Sequence, residues 1–170
     1  MKSRLSRLLD VALYGALFAM VALLVSRKCS GPREGAPAAD FDLPIVGDPT
    51  GARFRLADHR GKAVLLEVFA GWCGACKRSA PAVVEAFRNA SPDRVAFVGV
   101  SVDDSPEAAL QTKRAWDIPY PIVHDDGHVS KTYEIRVLPT FVLIDATGTI
   151  RHVSTGKASR ADIEDWLSEL

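Results

Sequence analysis

Two cysteines in the segment Trp72-Cys73-Gly74-Ala75-Cys76 are the residues best placed to do chemistry in this sequence. They follow an apolar run, Val64 to Ala70, and precede a helical pattern. A cysteine at a helix start meets the positive end of the helix dipole and unpaired backbone N–H groups. Both favour the thiolate, the reactive form of sulfur. A second cysteine one turn later can attack any mixed disulfide the first one makes. The spacing therefore predicts dithiol–disulfide exchange, with Cys73 as attacking nucleophile and Cys76, deeper in the helix, as resolving thiol. Trp72, just ahead of the pair, is either a packing residue or a flat apolar surface for a protein partner.

The same spacing serves two blander ends. It can be half of a zinc site, which needs a second such pair or histidines at ligand spacing. The remaining cysteine is Cys29, far upstream, and His59, His124, His128 and His152 are scattered. Asp125-Asp126-Gly127 reads as a turn between His124 and His128, so no helix aligns them. No metal is expected. The pair can also be an inert structural disulfide, but three cysteines are too few for a stapled scaffold.

Leu8 to Val25 is nearly all apolar. Read as helix it is about 27 Å long, close to a bilayer core of roughly 30 Å. Lys2, Arg4 and Arg7 precede it, and Arg27 and Lys28 follow. A secretion signal would want small residues at a site soon after the apolar run; Ser26-Arg27-Lys28 is a poor site, and Ala36-Pro37-Ala38 lies far downstream. The expected organisation is a cytoplasmic tail and transmembrane anchor over residues 1–28, a linker over 29–39, and one domain over 40–170. Cys29 reads as a free thiol beside the membrane. The 170 residues carry zero formal net charge and no basic block with interleaved aromatics, which excludes a nucleic-acid partner.

Elements that position the dithiol can be read along the domain. Asp40-Phe41-Asp42-Leu43-Pro44 is a short extended piece, and Arg53 to Leu56 alternates like an edge strand. Ala63 to Phe69 is apolar except for Glu67, the pattern of a central strand buried on both faces. A helix runs from about Gly74 to Asn89, with Pro81 expected to kink it. Arg94 to Val102 is a second buried strand, and Pro106 opens a helix running to about Trp116. Ile122-Val123 is a short extended piece and Val129 to Tyr133 a short helix. Thr140 to Asp145 and Thr149 to Val153 form a hairpin, and Ser159 caps a last helix from Arg160 to Leu170. Phe69, Phe97, Phe141, Trp116 and Trp166 are expected in the core. The order of elements indicates an α/β sandwich with a mixed central sheet.

This arrangement resembles the thioredoxin fold, and more narrowly the membrane-anchored TlpA/ResA/CcmG branch of thiol–disulfide proteins. The likeness spans Asp40 to Leu170 and rests on several segments in order. They are Asp-Phe-Asp-Leu-Pro from Asp40, Leu-Ala-Asp-His-Arg-Gly-Lys from Leu56, and the run from Val64 through Cys73 and Cys76 to Lys77. Val-Gly-Val-Ser-Val-Asp from Val98, Val137-Leu138-Pro139-Thr140, and Phe-Val-Leu-Ile-Asp-Ala-Thr-Gly-Thr-Ile from Phe141 complete it. The resemblance implies a three-layer α/β/α sandwich behind an N-terminal transmembrane helix.

It also implies roles. Glu67 matches a buried acid that accepts the proton of the second thiol, Cys76; the alternative is an edge-facing glutamate paired with Lys or Arg. Pro139 matches a cis proline facing the dithiol; the alternative is a trans proline at a strand start. The backbone at Leu138 would then pair with an extended substrate segment, flanked by Thr140. The implied activity is thiol–disulfide exchange on extracytoplasmic partners, without a cofactor beyond the Cys73–Cys76 disulfide. The implied setting is the inner membrane, single-pass, with the domain in the periplasm or an equivalent space, served by a membrane electron donor. Reduction of disulfides, as in cytochrome c maturation or metal-site assembly, is the expected direction. The competing readings are a disulfide-inserting oxidant, a peroxiredoxin-like peroxidase, and a thiol-based chaperone or metal carrier. Ala70, three residues before Cys73, stands where a peroxidase would need Thr or Ser.

Overall fold

The computed structural model describes residues 31–170, together with the short helical pieces 13–15 and 20. Most of the apolar stretch Leu8–Val25, and Cys29, lie outside the described residues. Among the described residues no helix is long and apolar enough to cross a membrane. The chain divides into two units, Met1–Gly31 and Pro32–Leu170. The second of these carries every strand and the dithiol.

The centre of that unit is β3 (Ala63–Phe69), whose seven residues are all buried. A strand buried on both faces must be covered on both, and the apolar side chains alternate between two cores. β3 pairs in parallel with β4 (Val95–Ser101), which pairs in parallel with β5 (Ile122–His124). On its other side β3 pairs antiparallel with β6 (Thr140–Ile144), and β6 with β7 (Ile150–Thr155). The mixed sheet therefore has the order β5-β4-β3-β6-β7. A separate two-stranded ribbon joins β1 (Asp42–Pro44) to β2 (Arg53–Arg55), followed by a 3-10 turn at Leu56–His59.

Helix α1 (Gly74–Asn89), helix α2 (Pro106–Ala115) and helix α4 (Arg160–Ser168) bring Val83, Ala109 and Ile163 onto one face, against Leu65, Phe69, Phe97 and Phe141. The opposite core holds Val64, Leu66, Val68, Val98 and Val142. It is closed by Phe41, Phe54 and Leu56 of the N-terminal segment and by Val129 of the short helix α3 (His128–Thr132). The result is the three-layer arrangement expected from the sequence. Pro81 removes one backbone donor from α1, yet the helix runs on through it to Asn89. Ser159 and Asp162 form a reciprocal capping box at the start of α4.

Two readings need correction. Residues 34–39, expected to be linker, are docked on the domain: Gly35 N–H donates to Ile150 O, Ala38 N–H to Gly148 O, and Ile150 N–H to Ala36 O. Exposed backbone along the β7 edge is what a low-complexity segment can satisfy without distinctive side chains. Arg53–Arg55 is a strand, as its alternation suggests, and belongs to the small ribbon. Ile122–His124 is more than an extended piece, because its pairing with β4 makes it a full edge of the central sheet. Of the five aromatic residues expected in the core, Phe69, Phe97, Phe141 and Trp166 are buried. Trp116 is half-buried, packed on Phe69.

Candidate active site

Three segments converge at the C-terminal end of β3. The first is the loop that follows the strand. Cys73 is the N-cap of α1, in extended conformation, and its sulfur accepts the backbone N–H of Cys76 at 3.1 Å. Serine, threonine or aspartate oxygen usually holds this place; a sulfur here receives the same N–H donors and the same dipole that stabilise negative charge. Cys73 and Cys76 are joined by a disulfide, with Cα atoms 5.3 Å apart. Cys73 keeps 8% of its surface exposed and Cys76 none, the asymmetry expected of an entering and a resolving sulfur. Trp72 projects beside them, 69% exposed.

The second segment is the 137–140 loop. The Leu138–Pro139 peptide bond is cis. Because Val68 pairs with Thr140, Pro139 lies at the end of β3 from which the Cys73 loop departs. Leu138 packs against the core cluster that contains both cysteines, and Val137 is 51% exposed. Thr140, expected on the substrate surface, is 2% exposed, and its hydroxyl donates to Val137 O at 2.7 Å. Its side chain ties the loop to itself.

Glu67 is the third component. Strand alternation puts it on the face shared by Leu65, Phe69 and the two cysteines. It is 3% exposed and not at an edge, and among the described residues no Lys or Arg acts on it. Its Oε2 accepts the Tyr120 hydroxyl at 3.0 Å. Burial pushes its carboxyl up from 4.5 to about 7, and the Tyr120 hydrogen bond pulls the other way. The Tyr120 phenol itself is raised well above its ordinary value by burial and by the nearby carboxylate. A group that changes charge near neutrality, buried on the face of the sheet that carries the dithiol, can take and return a proton.

Two supports of this site were not singled out in the sequence. Tyr120 is one; its signal was a buried carboxylate needing a donor and a tyrosine held between Pro119 and Pro121. Asp103 is the other, 7% exposed at the end of β4. Its Oδ1 accepts Gly71 N–H at 2.8 Å and its Oδ2 accepts the Ser101 hydroxyl at 2.8 Å. Gly71 sits so close that a Cβ there would meet Thr112 Oγ1 and Asp103 Oδ1. The loop that carries Cys73 is thus bolted to β4 and α2. Among the described residues no group of three or more His, Cys, Asp or Glu could hold a metal ion.

A disulfide-forming pair at a strand-to-helix junction, beside a cis-proline loop on a mixed five-stranded sheet, defines a thioredoxin-like thiol–disulfide oxidoreductase. Residues 35–153 match the AhpC/TSA family, and the chain belongs to it. It is 30% identical over 136 residues to the thiol–disulfide oxidoreductase ResA of Bacillus subtilis, covering 79% of this chain and 74% of that protein. Among solved structures it resembles a thiol:disulfide interchange protein of the thioredoxin family from Chlorobium tepidum, with a TM-score of 0.71 and 25% identity, covering 82% of this chain and 98% of that one. The exposed lipoprotein thioredoxin Etrx1 of Streptococcus pneumoniae gives a TM-score of 0.68 and 30% identity, covering 78% and 100%. The redox group of such enzymes is the disulfide itself, here Cys73–Cys76.

Proposed function

We propose that this protein is a membrane-tethered reductase of disulfides in extracytoplasmic partner proteins. In the forward half-reaction the Cys73 thiolate attacks a partner disulfide, forming a mixed disulfide and releasing one partner thiolate. Cys76 then gives its proton to the Glu67 carboxylate and attacks Cys73 Sγ. The Cys73–Cys76 bond forms, the mixed disulfide breaks, and the second partner thiolate leaves. Two electrons pass from the dithiol to the partner, and a membrane electron donor restores the dithiol.

The observation that carries this reading is the graded burial of the pair: Cys73 at the helix N-cap keeps 8% of its surface exposed, Cys76 none, and Glu67 is buried on the same face. Trp72 next to Cys73 and Val137 next to the Leu138–Pro139 bond are exposed apolar side chains, and the cis Pro139 loop offers backbone to an extended partner segment. The apolar stretch Leu8–Val25 supports a single-pass anchor in the inner membrane with the domain on the periplasmic side. The likeness to ResA-type oxidoreductases supports thiol–disulfide exchange; reduction is the direction of this reading, with cysteines awaiting haem attachment or copper loading as the partners it favours.

The test is trapping in the cell of origin. Cys76→Ser should accumulate mixed disulfides through Cys73, released by reductant and identifiable by mass spectrometry. Equal trapping by Cys73→Ser would overturn the assignment of the two sulfurs. Partners confined to the cytoplasm would overturn the placement.

A further inference from the structure

The phenol that meets Glu67 comes from an unexpected distance. Tyr120 precedes β5, the outer strand, while Glu67 lies on β3, with β4 between them. The residue of β4 opposite Glu67 is Gly99. A Cβ at Gly99 would approach Phe69 to 2.8 Å, Ile122 to 3.2 Å and the Tyr120 ring to 3.5 Å. The missing side chain therefore opens a lane across β4, and the tyrosine ring runs along it. Its other end is fixed as well: Lys113 Nζ of α2 donates to Tyr120 O at 2.5 Å and to Ile118 O at 2.9 Å. Tyr120 is 1% exposed, and its ring packs against both Phe87 and Phe97. A buried phenol that only filled space would be replaceable by phenylalanine; this one spends its hydroxyl on the carboxylate.

We propose that Tyr120 is a positioning residue for thiol exchange: its hydroxyl, carried across β4 over Gly99, holds Glu67 in the ionised form that accepts the Cys76 proton. The inference rests on the acceptor role given to Glu67 above. The other groups packed around Glu67 offer no substitute. Its neighbours across the sheet are Gly99 on β4 and Phe141 on β6, neither of which carries a donor. Besides burial, the Tyr120 phenol is the group that acts on Glu67 among the described residues. An O–H donor stabilises the carboxylate over the acid. Without it, burial alone governs Glu67, its proton affinity rises, and less of it is ready to accept a proton at neutral pH.

The step is the second of the two exchanges. Cys76 loses its S–H bond to Glu67 Oε, the Cys73–Cys76 bond forms, and the bond from Cys73 to the partner sulfur breaks. The departing thiolate is the product, and Glu67 later passes its proton to solvent. Reduced full-length protein carrying Cys29→Ser, which removes the third thiol, is mixed with dithiobis(nitrobenzoate). Attack by Cys73 releases the first coloured thiolate, and resolution by Cys76 releases the second. The two phases are timed across pH for Tyr120→Phe, Glu67→Gln and the double variant.

The expected result is an unchanged first phase in Tyr120→Phe. Its second phase keeps the wild-type plateau at alkaline pH, but the inflection moves up by about one pH unit, a loss of about fivefold near pH 7 that approaches tenfold at lower pH. Glu67→Gln loses the inflection, and adding Tyr120→Phe changes nothing further. A second phase slowed by one factor at every pH, or slowed equally in the Glu67→Gln background, would overturn the inference and leave Glu67 in place. A Glu67→Gln variant with the wild-type profile would overturn the acceptor role itself and this inference with it.

Discussion

Replacing Glu67 with glutamine isolates what a buried carboxylate costs this domain. Burial raises the carboxyl of Glu67 from 4.5 to about 7 in the folded protein, whereas the unfolded chain returns it to its ordinary value. The folded state thus binds this proton more tightly than the unfolded state. Below the unfolded value both states are protonated and Glu67 carries no penalty. As pH rises from 4.5 towards 7 the unfolded chain ionises first, and stability is lost progressively. The full gap, 7 minus 4.5 or about 2.5 pH units, amounts to about 3 kcal/mol at roughly 1.4 kcal/mol per unit. Between pH 5 and pH 8 most of that, about 2–3 kcal/mol, should be lost. Glutamine occupies the same volume, accepts the Tyr120 hydroxyl, and cannot ionise. Urea unfolding of the oxidised full chain is followed by tryptophan fluorescence, since Trp72, Trp116 and Trp166 all lie in the domain. With a slope of about 2 kcal/mol per molar urea, the midpoint of the wild type should fall by about 1 M more than that of the variant over this interval. All other titrations cancel in the comparison. Parallel pH dependences in the two proteins would refute the argument, because they would mean that the carboxylate is solvated or paired in a way this structure does not show.

Gly71→Ala drives a Cβ into Thr112 Oγ1 and crowds Asp103 Oδ1; the expected cost is about 1–3 kcal/mol, together with slower alkylation of reduced Cys73, and an unchanged midpoint and alkylation rate would show that Asp103 and Thr112 do not hold the loop. Trp72→Ala removes a side chain that is 69% exposed, so stability should change by less than about 0.5 kcal/mol while reduction of a protein disulfide slows several-fold and reduction of a small aromatic disulfide does not. Equal effects on the two substrates would remove Trp72 from the partner surface.

Much of the fold was legible because its determinants are local. β3 is an apolar run broken only by Glu67 and β4 is mostly apolar, Ser159 and Asp162 mark a helix start by residue type, and Pro106 sits where a helix tolerates it. What stayed hidden depends on pairing between distant segments. β5 is three residues long and follows two prolines, so no alternation identifies it; only its register with Gly99–Ser101 makes it a strand. Residues 34–39 contribute chiefly backbone groups to the β7 edge, and side-chain types do not announce backbone hydrogen bonds.

The site divides the same way. Cys73, Cys76 and Glu67 stood out as chemistry-bearing residues, Glu67 because a lone acid in an apolar strand demands an explanation. The identity of its partner did not stand out, although the demand for one did. Finding Tyr120 required knowing that β4 lies between Glu67 and β5, that Gly99 is the residue opposite Glu67, and that no side chain blocks the way. Register is thus where the chemistry and the fold meet. A one-residue slip of β4 against β3 would place Val98 or Val100 in the lane. The sheet would still form, but the phenol could not reach the carboxylate, and an unpaired buried acid would remain on the face that carries the dithiol. The glycine in β4 therefore answers to the glutamate in β3, a dependence that neither strand reveals by itself.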